Sequence, residues 1–80
     1  MTQIQFLKLP ETLAIRKTSR SGHYADIAAG LYPRRVKTGR RAAADIEHEA
    51  EAINRARAAG KSDDEIRALV RELEAARAAP

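Results

Sequence analysis

Apolar residues at Ile66, Leu69, Val70 and Leu73 fall at i, i+3, i+4 and i+7, the spacing that lines one face of a helix. Ser62-Asp63-Asp64-Glu65 just ahead of them has the form of a capping box, in which Ser62 caps, Glu65 reaches back, and the acids complement the positive end of the helix dipole. An earlier helix is predicted from Ile46 to Ala59, with Ile46, Ala50 and Ile53 on one face and Gly60 as its stop. The 66–73 stripe has to be covered, either by the chain's own domain or by a second copy in a dimer or higher assembly; the pattern leaves both open. The closing Ala-Ala-Arg-Ala-Ala-Pro is expected to fray.

The front half has shorter periods. Gln5 to Leu9 is partly alternating and reads as a strand or an extended lead-in. Pro10 suits the first turn of a helix, where its missing N–H is no loss, and Glu11 suits the positive end of the dipole. That short helix runs to about Arg16 or Lys17, with Leu13 and Ala14 as its buried positions. Thr18 or Ser19 can cap the next helix, predicted from Arg20 to Ala29, which would bury Tyr24, Ile27 and Ala28 before Gly30 stops it. Two short helices around a tight turn make a helix-turn-helix unit. Pro33 then forbids further helix, Val36 alternates with Arg35 and Lys37, and Thr38-Gly39 is a two-residue turn, so Arg34 to Ala44 reads as a β-hairpin. The expected fold is mainly α with a small β-hairpin: a winged helix-turn-helix over residues 1–59, then a C-terminal amphipathic helix over 60–80 that serves packing or self-association through Ile66, Leu69, Val70 and Leu73.

Charge changes this picture from a fold to a function. The net charge of the 80 residues is +4, but it is unevenly placed. From Met1 to Ala44 nine basic residues face two acidic ones; from Asp45 to Pro80 six basic residues face nine acidic ones. Such asymmetry points to a front half that binds a polyanion and a back half that is solvated or meets a partner. There is no cysteine, which excludes disulfide staples and thiolate metal sites. The first residues have neither the basic nor the apolar part of a signal peptide, and no apolar run approaches the roughly 18 residues that span a bilayer. A cytoplasmic protein with no membrane partner is expected.

Catalytic chemistry is not apparent. His23 and His48 are 25 positions apart, and no HExxH, phosphate-cradling glycine loop or GxSxG accompanies them. His48, Glu47, Glu49 and Glu51 read as a solvated face. The expectation is a protein that is not an enzyme and needs no metal or cofactor. The candidate site is instead Ser19, Arg20, Ser21, Gly22, His23 and Tyr24. There the amides and dipole of a helix start favour an anion, and Arg20, Ser21 and His23 would add donors for phosphate oxygens or base edges. Gly22 either allows close approach to a groove or is a tolerated blemish. The Tyr24 ring packs between helices while its hydroxyl could reach a phosphate. The second group is the hairpin, with Arg34, Arg35, Lys37, Thr38, Gly39, Arg40 and Arg41 placed along a neighbouring backbone or minor groove. If roughly six phosphates are neutralised, log K falls with log salt at a slope of about −5.

Leu9-Pro10-Glu11, Ser19-Arg20-Ser21 with Tyr24 and Ile27, Gly30 with Tyr32-Pro33, and Val36-Lys37 with Gly39-Arg40-Arg41 resemble the AlpA-type winged helix-turn-helix proteins of prophages and genomic islands, whose fold is related to MerR-type domains and phage excisionases. The stretch EAINRARAAGKSDDEIRALV is similar to the C-terminal extension of some members. The resemblance implies a bacterial, nucleoid-associated protein with Ser19 to Ile27 as recognition helix and Gly39 to Arg41 as wing tip. Its partner would be double-stranded DNA, bound as a homodimer or a cooperative assembly, with an integrase as a further partner. The implied role is a small transcriptional regulator of mobile-element genes, or alternatively an excisionase that binds adjacent sites and bends DNA. A protein-interaction module is the reading from another class. Lys17 and Thr18 stand where the family usually has a glycine and a hydrophobe, Gly22 where it has a threonine, Ala25 where a larger polar residue is common, and Asp45 where an aromatic follows the hairpin.

Overall fold

A computed structural model describes residues 3–78 of the chain. Its elements are β1 (Phe6–Leu7), α1 (Leu9–Arg16), α2 (Arg20–Ala28), β2 (Val36–Lys37), β3 (Ala43–Ile46), α3 (Glu47–Ala58) and α4 (Asp63–Ala76). Four helices thus accompany a small antiparallel sheet of order β1-β3-β2, with Leu7 opposite Asp45 and Val36 opposite Ala44. The hairpin of residues 34–44 is present, but its turn is longer than two residues. The Thr38 N–H bonds to the Ala42 carbonyl at 3.0 Å, so residues 39–41 loop out between them.

Local chemistry sets the helix ends. Glu11 in the first turn of α1 accepts from the Lys8 N–H at 2.8 Å. The helix ends at Lys17, which takes the left-handed conformation (φ 56°, ψ 45°) that favours glycine. The Asn54 amide, from α3, donates to the Ile15 carbonyl at 3.1 Å and so closes a second acceptor at that end. Ser19, not Thr18, caps α2, accepting from the Gly22 N–H at 3.1 Å. Gly30 (φ 77°) and Gly60 (φ 76°) terminate α2 and α3 as expected. At the start of α4, Ser62 and Glu65 bond reciprocally at 3.2 and 2.9 Å.

The apolar core is Leu7, Tyr32, Ala50, Ile53, Ile66 and Val70, with Ile27, Leu31, Leu69 and Leu73 partly buried against it. Ile66 and Val70 are therefore spent inside the chain's own core, which corrects their assignment to self-association; Leu69 and Leu73 pack on the same core at its edge. The helix of 63–76 shares one core with the first fifty-odd residues rather than standing apart from it. Among the described residues no helix is long and apolar enough to cross a membrane.

Three other expectations fail for one reason, that buried positions in this small chain are often polar. In α1 the buried residues are Leu9 and Thr12, while Leu13 is only partly covered and Ala14 is exposed. In α2 the buried residue is His23; Tyr24 is 43% exposed and Ala28 is also on the surface. Glu49 is not solvated but 1% exposed, held by Arg77 through bonds of 2.8 Å (Nε) and 2.6 Å (Nη2). The segment expected to fray is thus tied down as far as Arg77; Ala79 and Pro80 lie outside the described residues.

Candidate nucleic-acid interface

Behind the two groups of candidate residues lies a buried polar layer organised on Asp45. Its carboxylate accepts from the Thr12 hydroxyl at 2.9 Å, faces Arg35 Nε at 3.4 Å, and faces His23 Nε2 at 3.5 Å. Asp45 has this reach because β3 is the middle strand. Leu7 is its partner on one side, and the register that pairs Val36 with Ala44 carries Arg35 to it on the other. A buried carboxylate is costly unless paired and hydrogen-bonded, and here cationic and polar groups from α1, α2 and the hairpin all converge on it.

The layer continues through Arg16 on α1. Its Nη1 donates to His23 Nδ1 at 2.8 Å, its Nη2 donates to Asp26 at 2.7 Å, and its guanidinium lies 4.1 Å from the centre of the Tyr32 ring. A donor at Nδ1 leaves the proton of a neutral imidazole on Nε2, the atom 3.5 Å from Asp45 Oδ1. Burial holds the His23 pKa below the ordinary 6.5; Asp45 works against that shift, and Arg16 adds to it. Burial likewise raises the Tyr32 phenol well above its usual range. As a consequence, α2, whose buried residue is a histidine, is moored to α1 and β3 largely through ionic and polar contacts.

His23 is 0% exposed, so its place among base-reading residues is corrected: its ring belongs to the scaffold. Arg35 is corrected as well. It donates to the Ala43 carbonyl at 3.0 Å and to the Tyr24 hydroxyl at 3.3 Å while facing Asp45, and only 17% of its side chain is exposed. The Tyr24–Arg35 bond joins the two candidate groups, α2 to the base of the hairpin. The Tyr24 ring lies on the surface instead of between helices. Gly22 also has close neighbours inside the molecule. A Cβ there would come to 2.8 Å from Thr18 Oγ1 and 3.1 Å from Ser19 Oγ, the hydroxyl that caps the helix.

No family model, curated protein or solved structure matches this chain.

What remains on the surface is a consistent set. Ser19, Arg20 and Ser21 at the start of α2 are exposed, and so are Arg34, Lys37, Thr38, Gly39, Arg40 and Arg41 in the hairpin. Among the described residues, the side chains of Arg20, Lys37, Arg40 and Arg41 have no hydrogen-bond or ion-pair partner, whereas Arg16, Arg35 and Arg77 are all engaged. The Ser19 and Ser21 hydroxyls are 3.3 Å apart at the helix start. Exposed guanidinium and ammonium groups with no internal partner can donate to phosphate oxygens without first breaking an internal bond. The sequence reasoning missed Asp45, Thr12, Arg16 and Glu49. One readable signal was that Asp45 is the single acid between Asp26 and Glu47, set just after a run of cations.

Proposed function

We propose that this chain is a double-stranded DNA-binding protein of the winged helix-turn-helix kind, with α2 as recognition helix and the 34–44 hairpin as wing, acting as a small regulator of mobile-element genes. The observation that carries the reading is the division of the front-half cations. Those at the α2 start and the hairpin tip are exposed and unpaired, while Arg16 and Arg35 are used to hold these two elements on one buried layer. A solvated face placed only for solubility does not require its supports to be fixed by a fully buried carboxylate. The resemblance of Ser19–Ile27 and Gly39–Arg41 to the AlpA-type proteins points the same way.

In this reading Arg20, Lys37, Arg40 and Arg41 contact phosphates and supply most of the affinity, and Ser21 faces base edges. Selection from a pool of randomised duplexes tests it. The wild-type chain enriches a defined site, Arg41→Ala lowers binding to all sequences alike, and Ser21→Ala changes which sequence is enriched. A pool that emerges unenriched, or a Ser21→Ala selection identical to wild type, contradicts the placement of α2 against the bases.

A further inference from the structure

A cavity of about 300 Å³ opens where the C-terminal end of α2, the 30–34 segment and α4 meet. Its apolar lining comes from Ile27, Ala28 and Val70, and its charged lining from Arg34, Arg67, Arg71 and Glu74. The single carboxylate is already committed, since Glu74 accepts from the Arg34 N–H at 2.8 Å. Arg67 donates to the Ala29 carbonyl at 2.9 Å and pairs at 3.3 Å with Asp64, whose side chain is 97% exposed. The Arg34 and Arg71 side chains have no hydrogen-bond or ion-pair partner among the described residues. The cavity is thus net cationic, and two of its guanidinium groups are uncommitted.

Of the exposed candidate residues only Arg34 lines this site, and none of Arg20, Lys37, Arg40 and Arg41 does. The site sits at the far end of α2 from Ser19, about 13 Å along a helix of this length. A concave site with an apolar floor also fits poorly to a duplex backbone. Volume near 300 Å³ is at the lower end for small-molecule sites, which combine an apolar lining with a few placed polar groups.

We propose that this cavity binds a small organic anion, a carboxylate or phosphate monoester attached to a compact apolar body. Arg71 and Arg34 take the anionic head, and Ile27, Ala28 and Val70 receive the apolar part. The ligand would lie against the peptide of Arg34, whose N–H is held by Glu74 and whose carbonyl accepts from Arg77 at 2.8 Å. That peptide is in the link between α2 and the hairpin, so an occupant of the cavity bears on how those two elements are spaced. The binding itself does not depend on the DNA-binding reading.

The test is a chemical-shift titration of the ¹⁵N-labelled full chain with four probes: benzyl phosphate, 4-tert-butylbenzoate, inorganic phosphate and benzyl alcohol. The expected result is saturable shifts at the amides of Gly30, Arg34, Val70 and Arg71 with at least one of the two apolar anions, and binding about tenfold or more weaker for both inorganic phosphate and benzyl alcohol. Arg71→Ala, a change at an exposed and unpartnered residue, weakens that binding about tenfold while the spectrum stays dispersed, and Arg40→Ala leaves it unchanged. The proposal is overturned by the absence of saturable shifts, by equal affinity for inorganic phosphate (an adventitious ion only), or by Arg40→Ala weakening the binding as much as Arg71→Ala does.

Discussion

Arg34 and Arg35 are neighbours in one run of the sequence, and they belong to two different regions of the molecule. Arg34 is exposed, as are Lys37, Arg40 and Arg41 beyond it, while Arg35 turns inward to the Asp45 carboxylate and the Tyr24 hydroxyl. The same division separates Arg20 from Arg16 across the α1–α2 turn. One set of cations is a solvated rim; the other is the framework that holds the rim's two parts together. A count of basic residues therefore overstates the exposed cationic surface. Of the nine in the front half, two are structural, and their loss would act on folding before it acted on any partner.

Asp45→Ala strips the buried layer of its anion and leaves Thr12, His23 and Arg35 facing an empty position. Removing one partner of a buried pair costs about 3–5 kcal/mol. That is much of the roughly 4–12 kcal/mol available to a domain of this size. Urea denaturation followed by circular dichroism reads it, and Asp45→Asn, which keeps an acceptor for Thr12, should lose less. A change of under about 0.5 kcal/mol, the range of an ordinary surface substitution, would place Asp45 with the rim and not the framework.

A pH series sharpens the same point at His23. Its folded pKa lies below 6.5, so the native state holds fewer protons than the unfolded chain once the pH falls to that value. The stability contributed by neutral His23 is complete above pH 6.5 and is lost as the pH drops from there through the folded pKa. Protonation at Nδ1 would also set an N–H against the Arg16 donor. Stability measured near pH 7.5 and again near pH 5.5 should fall for the wild type and fall less for His23→Asn, which has no imidazole to titrate.

A smaller effect, of opposite sign, is expected in the α1–α2 turn. Lys17 has a left-handed backbone that costs a side-chain-bearing residue about 1 kcal/mol. Lys17→Gly should therefore raise the midpoint of thermal unfolding by roughly 4–8 °C. No rise would mean that the lysine side chain recovers the cost in contacts of its own.

The regular elements were legible because each rests on local chemistry. The capping box at Ser62, the stops at Gly30 and Gly60, and the proline after α2 specify helix ends within a few residues of the sequence position that carries them. The basic hairpin was legible from the alternation around Val36, but its turn takes residues 39–41 and not the two read from Thr38-Gly39. The polar layer was not, because Thr12, His23, Asp45 and Glu49 have polar side chains at positions that apolar periodicity cannot flag, and their partners are as many as 33 residues away in sequence. Glu49 is bonded to Arg77 at the C-cap of α4, in a tail whose composition suggests fraying. The exposed part of the candidate site was readable as a charge cluster, but which cations stay free is decided by strand register, which carries Arg35 to Asp45 and leaves its neighbours outside.

A salt titration of duplex binding, for the wild type and for Arg40→Ala/Arg41→Ala, tests whether the rim binds DNA while the framework only supports it. Arg20, Lys37, Arg40 and Arg41 engaging one phosphate each give a slope of log K against log salt of about −4. The double variant should lower that slope in magnitude by about 2 while changing stability by less than about 0.5 kcal/mol. An unchanged slope in a folded double variant, or no binding to duplex at low salt by the wild type, would contradict DNA binding by the rim.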